Sequence, residues 1–104
     1  MSVLMTLRVK GDAAAIEQRA GANPDGMQAI IDKAVPHGLI SHHFYANDAG
    51  ELLVVDEWET AEGFQAFFAE AEPEIGPMMQ EAGVTTQPEV TFWRKLDSHD
   101  DYPA

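Results

Sequence analysis

The chain contains no cysteine and few basic residues, and each shortage excludes a class of function. Without cysteine there is no disulfide, no thiolate nucleophile and no cysteine-bound metal, and nothing points to an oxidising compartment. Only 6 Lys and Arg stand against 18 Asp and Glu, so the net charge is −12. A surface of that sign repels phosphate backbones and anionic lipid headgroups, and we expect no nucleic-acid or membrane partner.

Long apolar runs and cofactor-binding motifs are missing as well. No stretch approaches membrane-spanning length, and Arg8 and Lys10 follow the first apolar run, which is the reverse of a signal peptide. There is no phosphate-binding glycine loop, dinucleotide fingerprint or nucleophile elbow. We therefore expect a cytoplasmic protein without a bound cofactor. The 104 residues predict one domain, residues 1–96, followed by an acidic tail, residues 97–104.

Four stretches have the residue pattern of β-strands, and capped helical patterns separate them. The strands are predicted over residues 3–10, 39–46, 52–58 and 89–96. The predicted helix caps are Asp12 before residues 13–20, Asn23 before a helix that starts at Pro24, and Thr60 before a helix with an aromatic face. Because proline lacks a backbone donor, Pro73 predicts an interruption and a new helix that ends at Gly83.

This order, β-α-β-β-α-β with extra helical breaks, is that of a ferredoxin-like α+β fold. Short connections and right-handed crossovers place the helices on one face of a four-stranded antiparallel sheet. The other face is predicted to carry His43, Tyr45, Leu53 and Val55, which make it too apolar to remain in water. We therefore expect a homodimer formed through this sheet face.

A hairpin signal, Asn47-Asp-Ala-Gly50, sets the register of the two middle strands, with Gly50 in the left-handed position. This register places His42 opposite Asp56, Phe44 opposite Val54 and Ile40 opposite Trp58, all on the helix-facing side.

The His42–Asp56 pair is the candidate catalytic site. A carboxylate beside an imidazole fixes its tautomer, and an oriented histidine can deprotonate a phenol or enol. The resulting carbanion is electron-rich enough to react with oxygen directly. The alternative is a polar pair that only satisfies its own hydrogen bonds. A metal site is not expected, because the adjacent His42 and His43 point to opposite faces of a strand.

A set of apolar residues on the same side is the candidate binding site for a small apolar or aromatic molecule. Three phenylalanines follow Thr60 at helical spacing and share one face, and Met78 is flexible enough to adapt to an irregular ligand. Both features are equally typical of ordinary core packing. The candidate binding residues are Phe44, Trp58, Phe64, Phe67, Phe68 and Met78.

The segment Val54-Val-Asp-Glu-Trp-Glu-Thr-Ala-Glu-Gly-Phe64 resembles the antibiotic-biosynthesis-monooxygenase-like family of dimeric α+β barrels. The resemblance rests on Trp58-Glu59 followed by Glu62 and Phe64, and Phe92-Trp93 in the last strand is a weaker match. It implies two sheets paired into a barrel, with a small-molecule cavity between each sheet and its helices. It also implies that Trp58 lines this cavity.

Members of that family oxidise aromatic polyketides without metal or flavin, degrade haem, or have no demonstrated activity. The resemblance therefore makes a cofactor-independent monooxygenase acting on an aromatic or polyketide-like substrate one hypothesis. A non-catalytic ligand-binding or stress-associated dimer is the alternative. Haem chemistry is the least favoured, because haem-binding members supply a ligating histidine from the helix after this tryptophan, and residues 60–83 contain none.

Overall fold

The computed structural model describes residues 2–84 and 86–103. These residues form four strands and three α-helices in the order β1 (Val3–Lys10), α1 (Ala13–Ala22), α2 (Pro24–Ala34), β2 (Leu39–Ala46), β3 (Glu51–Trp58), α3 (Ala61–Glu81) and β4 (Glu89–Trp93). A short 3-10 turn, Val35–His37, joins α2 to β2. No helix in the described ranges is both long enough and apolar enough to cross a membrane.

The strands form one antiparallel sheet in the order β2-β3-β1-β4. With α1 and α2 in the first crossover and α3 in the second, this is the ferredoxin-like α+β fold, and the predicted fold class is confirmed.

The three predicted helix caps are present. Asp12 accepts a hydrogen bond from the Ala14 amide (2.9 Å), and Asn23 and Thr60 each accept one from a glycine amide in the first turn that follows (3.1 and 3.0 Å). Each cap satisfies a backbone donor that the first turn of a helix leaves without a partner.

The predicted interruption at Pro73 is wrong, because α3 runs through it without a break. Proline costs a helix interior one hydrogen bond. Ala71 and Met78 are buried on either side of Pro73, at 0% and 6% exposure, and their packing outweighs the local preference for a break.

The last strand is shorter than predicted, ending at Trp93 instead of residue 96. The segment predicted to lead into it begins at Thr85, which lies outside the described residues. Residues 97–103 of the predicted tail contain neither helix nor strand and are exposed, and Ala104 lies outside the described part of the chain.

The register of β2 on β3 follows the prediction at its centre and departs from it at the end. His42 pairs with Asp56 and Phe44 with Val54, but Trp58 pairs with Leu39. The predicted Ile40–Trp58 pair is therefore wrong. The extra residue forms a bulge because the Glu59 amide donates to the Gly38 carbonyl (2.9 Å), which holds the start of β2 one residue back and leaves Ile40 exposed.

Alternation along the strands divides the sheet into a buried and an open face. The buried face packs against the helices, and its largest fully buried side chains are Met5, Leu52 and Trp58. On the open face Leu4, Tyr45 and Trp93 are 40%, 54% and 53% exposed.

Charged side chains border this open face. Arg8 Nε donates to Glu89 (3.0 Å), and Glu51 lies 3.8 Å from the same guanidinium. The hydrogen bond that Arg8 donates to Glu89, followed by the charges of Glu89 and Glu51, raises the pKa of Arg8 above its ordinary value, so the guanidinium stays charged.

Candidate active site

A cavity of about 600 Å³ lies between the sheet and the helices. This volume is within the range of small-molecule sites. Its wall includes every residue that the sequence proposed for catalysis or binding. They are His42, Phe44, Asp56, Trp58, Phe64, Phe67, Phe68 and Met78.

Asp56 is the polar centre of this wall. It is only 5% exposed and is the one charged residue in the buried set of the described chain. Its Oδ1 lies 2.7 Å from Nδ1 of His42, and its Oδ2 accepts a hydrogen bond from Trp58 Nε1 (3.1 Å). Both oxygens are therefore occupied, and no buried side-chain nitrogen or oxygen within residues 2–84 and 86–103 lacks a partner.

Strand geometry explains why these three side chains meet. Asp56 and Trp58 are two residues apart on β3 and so point to the same face, and the hairpin register brings His42 directly opposite Asp56. A one-residue slip would move His42 to the other face and break the arrangement.

The Asp56 carboxylate determines which nitrogen of His42 carries the proton. A carboxylate accepts, so Nδ1 is the donor in this pair, and in the neutral ring Nε2 keeps its lone pair. The His42 side chain is 31% exposed, whereas that of Asp56 is 7% exposed, so the ring extends from a buried partner towards the cavity. This arrangement can accept a proton from a bound molecule.

Trp58 is fully enclosed at 0% exposure. Its ring lies 5.5 Å from the rings of both Phe64 and Phe67, measured between centroids, with an edge-on contact to Phe64. Because its ring is enclosed and its N–H is already bonded to Asp56, Trp58 supports the cavity wall and offers a ligand no free donor.

The phenylalanine stripe belongs to the core and to the cavity wall at once. Phe64 and Phe67 are 5% and 6% exposed and belong to the main apolar cluster, and Phe68 packs against that cluster while half-buried. The two alternatives left open by the sequence are therefore not exclusive, since the cavity is a space within the core.

Ion pairs connect α1 and α2 to α3. Arg19 on α1 pairs with Glu81 on α3, and Lys33 on α2 pairs with Glu74, which is also on α3. His37 Nε2 in the turn after α2 lies 2.8 Å from a Glu70 oxygen. Exposed ion pairs stabilise a fold by about 0–1 kcal/mol each. These pairs therefore favour one orientation of α1 and α2 against α3 but contribute little to the free energy of unfolding.

Sequence reasoning missed the contributions of α1 and α2 to the wall. The sequence predicts the helix that begins at Pro24 but not its role in lining the cavity, and it does not single out Glu17 or Gln28. Helical periodicity identifies which side of α1 or α2 is apolar, but the angle at which each helix crosses the sheet decides which flanking polar residues reach the cavity. No group of three or more His, Asp or Glu within the described residues is placed to bind a metal ion.

No protein-family model and no curated protein matches this sequence. Solved structures do match over nearly the whole chain. A monooxygenase from Streptomyces coelicolor, solved with the ligand nanaomycin D, is 15% identical with a TM-score of 0.68, covering 91% of this chain and 88% of that one. SnoaB, a cofactor-independent oxygenase from Streptomyces nogalater, is 14% identical with a TM-score of 0.59, covering 96% and 98%.

A dimeric ferredoxin-like protein from an uncultured marine organism is also 14% identical, with a TM-score of 0.63, covering 88% of this chain and 85% of that one. Identities this low establish the fold alone. The chain thus has the fold of antibiotic-biosynthesis-monooxygenase-like, ferredoxin-fold proteins, as the Trp58 segment predicted.

Proposed function

We propose that this protein is a homodimeric α+β barrel that binds a small hydroxylated aromatic or polyketide-like molecule and oxidises it as a cofactor-independent monooxygenase. The observation that carries the proposal is the chain of hydrogen bonds from Trp58 through Asp56 to His42 at the wall of an apolar cavity. The cavity supplies a dry site for an aromatic ring, and His42 supplies a base.

The proposed reaction needs no reductant. Nε2 of His42 removes the proton of a phenolic hydroxyl, and Asp56 stabilises the imidazolium that forms. The anion then carries electron density at the ring carbon para to the oxygen, and that carbon forms a bond to O₂. The peroxide anion takes the proton back from the His42 imidazolium, and the hydroperoxide then loses water, which includes the hydrogen of that ring carbon, and leaves a quinone. One oxygen atom thus enters the product and the other leaves as water. For a naphthol, naphthol plus O₂ gives naphthoquinone plus water.

The similar structures support this class of reaction. One is a monooxygenase solved with nanaomycin D, and another is named as a cofactor-independent oxygenase. What this chain adds is its own candidate base, because His42 and Asp56 are paired on the cavity wall by the hairpin register.

The proposed homodimer forms through the open face of the sheet. Tyr45 and Trp93 are more than half exposed there, and Leu4 is nearly so, which is a large apolar area for a single copy to leave in water. Dimeric ferredoxin-like proteins among the similar structures support this assembly.

Oxygen uptake with 1-naphthol tests the activity. We expect the protein, in the presence of a chelator and without flavin, to consume oxygen and to place one ¹⁸O atom from ¹⁸O₂ in the quinone. His42→Ala should lower the rate by about 10²–10⁴-fold, the range for loss of a general base. His99→Ala, which removes an exposed histidine from the tail, is the matched control and should leave the rate unchanged.

Binding without oxygen uptake would contradict the oxygenase and leave the non-catalytic ligand-binding dimer as the better account. A rate that His42→Ala does not change would show that His42 is not the base. Asp56→Asn separates orientation from proton transfer, because an amide next to Nδ1 favours the opposite tautomer while keeping the shape of the side chain. It should lower the rate without abolishing binding of 1-naphthol.

A further inference from the structure

Three polar side chains that line the cavity offer hydrogen-bond acceptors, and His43 lines it as well. In its neutral form His42 offers the lone pair of Nε2, because its Nδ1–H is donated to Asp56. Gln28 on α2 donates one of its two amide N–H groups to Asp32 (2.9 Å), and its carbonyl oxygen is an acceptor. The third group is the carboxylate of Glu17 on α1.

Two carboxylates line the cavity in the described chain, and the other titratable groups there are His42 and His43. Glu17 and Asp56 both line it, and no Lys or Arg is found among its lining residues in the described chain. Asp56 is buried and bonded to two donors, whereas Glu17 is exposed and makes no ion pair with any described residue. A residue that is exposed and also lines the cavity lies at its opening, so Glu17 carries the uncompensated charge there.

We propose that Glu17 is a specificity-determining residue that makes this cavity select uncharged or amine-bearing hydroxylated aromatics and exclude aromatic carboxylates. The inference rests on the proposed function, in that the cavity is the ligand site. A hydroxyl at one end of the ligand meets Nε2 of His42, and a hydroxyl, amide or ammonium donor at the other end meets Glu17 and Gln28. A carboxylate has no proton to offer these acceptors and is repelled by Glu17.

Three naphthol probes of nearly equal size test the proposal. They share the hydroxyl and carry, at one ring position, a carboxylate, a carboxamide or an aminomethyl group. Isothermal titration calorimetry of each probe with the full-length protein gives three Kd values. We expect the carboxamide and the aminomethyl probe to bind, and the carboxylate to bind about fivefold more weakly or worse, which is the scale of a like-charge contact at a partly exposed site.

Variants of Glu17 then assign the effect to this residue. Glu17→Gln should reduce the preference for carboxamide over carboxylate by about threefold to fivefold. Glu17→Lys should reverse the order, so that the carboxylate binds more tightly than the aminomethyl probe. Glu72→Gln is the matched control, because it makes the same substitution at an exposed position of α3 that does not line the cavity.

Each failure has a distinct meaning. If none of the three probes binds, the cavity is not the ligand site, and both the proposed function and the selectivity fall. If all three bind equally to the wild type, the cavity remains the ligand site and the proposed selectivity is wrong. If Glu72→Gln narrows the preference as much as Glu17→Gln does, net charge causes the discrimination and the role of Glu17 is overturned.

Discussion

Replacing Trp58 with phenylalanine tests whether the indole N–H orients the candidate base. The indole donates to Oδ2 of Asp56 (3.1 Å), and Asp56 is 5% exposed, so no bulk water can replace the lost donor. A hydrogen bond to a charged group is worth about 1.5–3 kcal/mol. The smaller ring adds about 1 kcal/mol of lost packing. We therefore expect the free energy of unfolding to fall by about 2.5–4 kcal/mol.

The same change should loosen the Asp56 carboxylate, because one of its two oxygens loses its partner. His42 would then populate both neutral tautomers, which ¹⁵N signals of the imidazole distinguish. We expect the kcat for 1-naphthol oxidation to fall about tenfold or more while KM changes little, since the enclosed indole gives the ligand no hydrogen bond. The homodimer should persist, because Trp58 lies on the helix-facing side of the sheet.

Phe64→Leu is the control, since it removes aromatic area that contacts the same indole but leaves every polar group in place. Thermal unfolding of both variants at one protein concentration compares their stabilities, because the melting temperature of a dimer depends on concentration. If both variants lose similar stability and Trp58→Phe keeps the wild-type tautomer and kcat, the indole N–H does not orient Asp56. Trp58 would then be a packing residue only.

Three further predictions concern assembly and stability. Light scattering at micromolar concentration should give twice the 11.4 kDa monomer mass, and Trp93→Glu on the open sheet face should shift the protein towards monomer. A monomeric wild type would refute the dimeric barrel. Gly63→Ala should destabilise by about 2 kcal/mol or more, because its Cβ would overlap the His37 carbonyl oxygen. Gly21→Ala in α1, where an added Cβ has no atom within 4 Å, should stabilise by about 0.5–1 kcal/mol, and equal effects in chemical denaturation would contradict this packing. Pro73→Ala should raise the free energy of unfolding by about 1 kcal/mol or more by restoring a helix hydrogen bond in α3. An unchanged or lower denaturation midpoint would show that Pro73 does not destabilise this helix.

Local chemistry in the sequence was enough to predict the order of elements and the central pair of the site. Asp12, Asn23 and Thr60 could be recognised as caps because each needs only its own side chain and the next turn. The His42–Asp56 pair could be predicted because Gly50, with φ of 76°, makes a short turn whose length sets the register of both strands.

Tertiary structure decided the features that depend on distant packing. Pro73 reads locally as a break, but burial of the residues around it keeps α3 continuous. Ile40 reads as an inward residue, but the hydrogen bond between Glu59 and Gly38 inserts a bulge and turns it outwards.

The chemistry of the site divides in the same way. Alternation along β3 placed Asp56 and Trp58 on one face of the sheet, which the sequence determines because side chains in a strand repeat every two residues. Trp58 donates its N–H to Asp56 because of the rotamers that the surrounding aromatic rings impose, and the sequence does not specify those rotamers. The position of Glu17 at the cavity depends on how α1 crosses the sheet, which is set by the packing of whole helices and not by any local pattern.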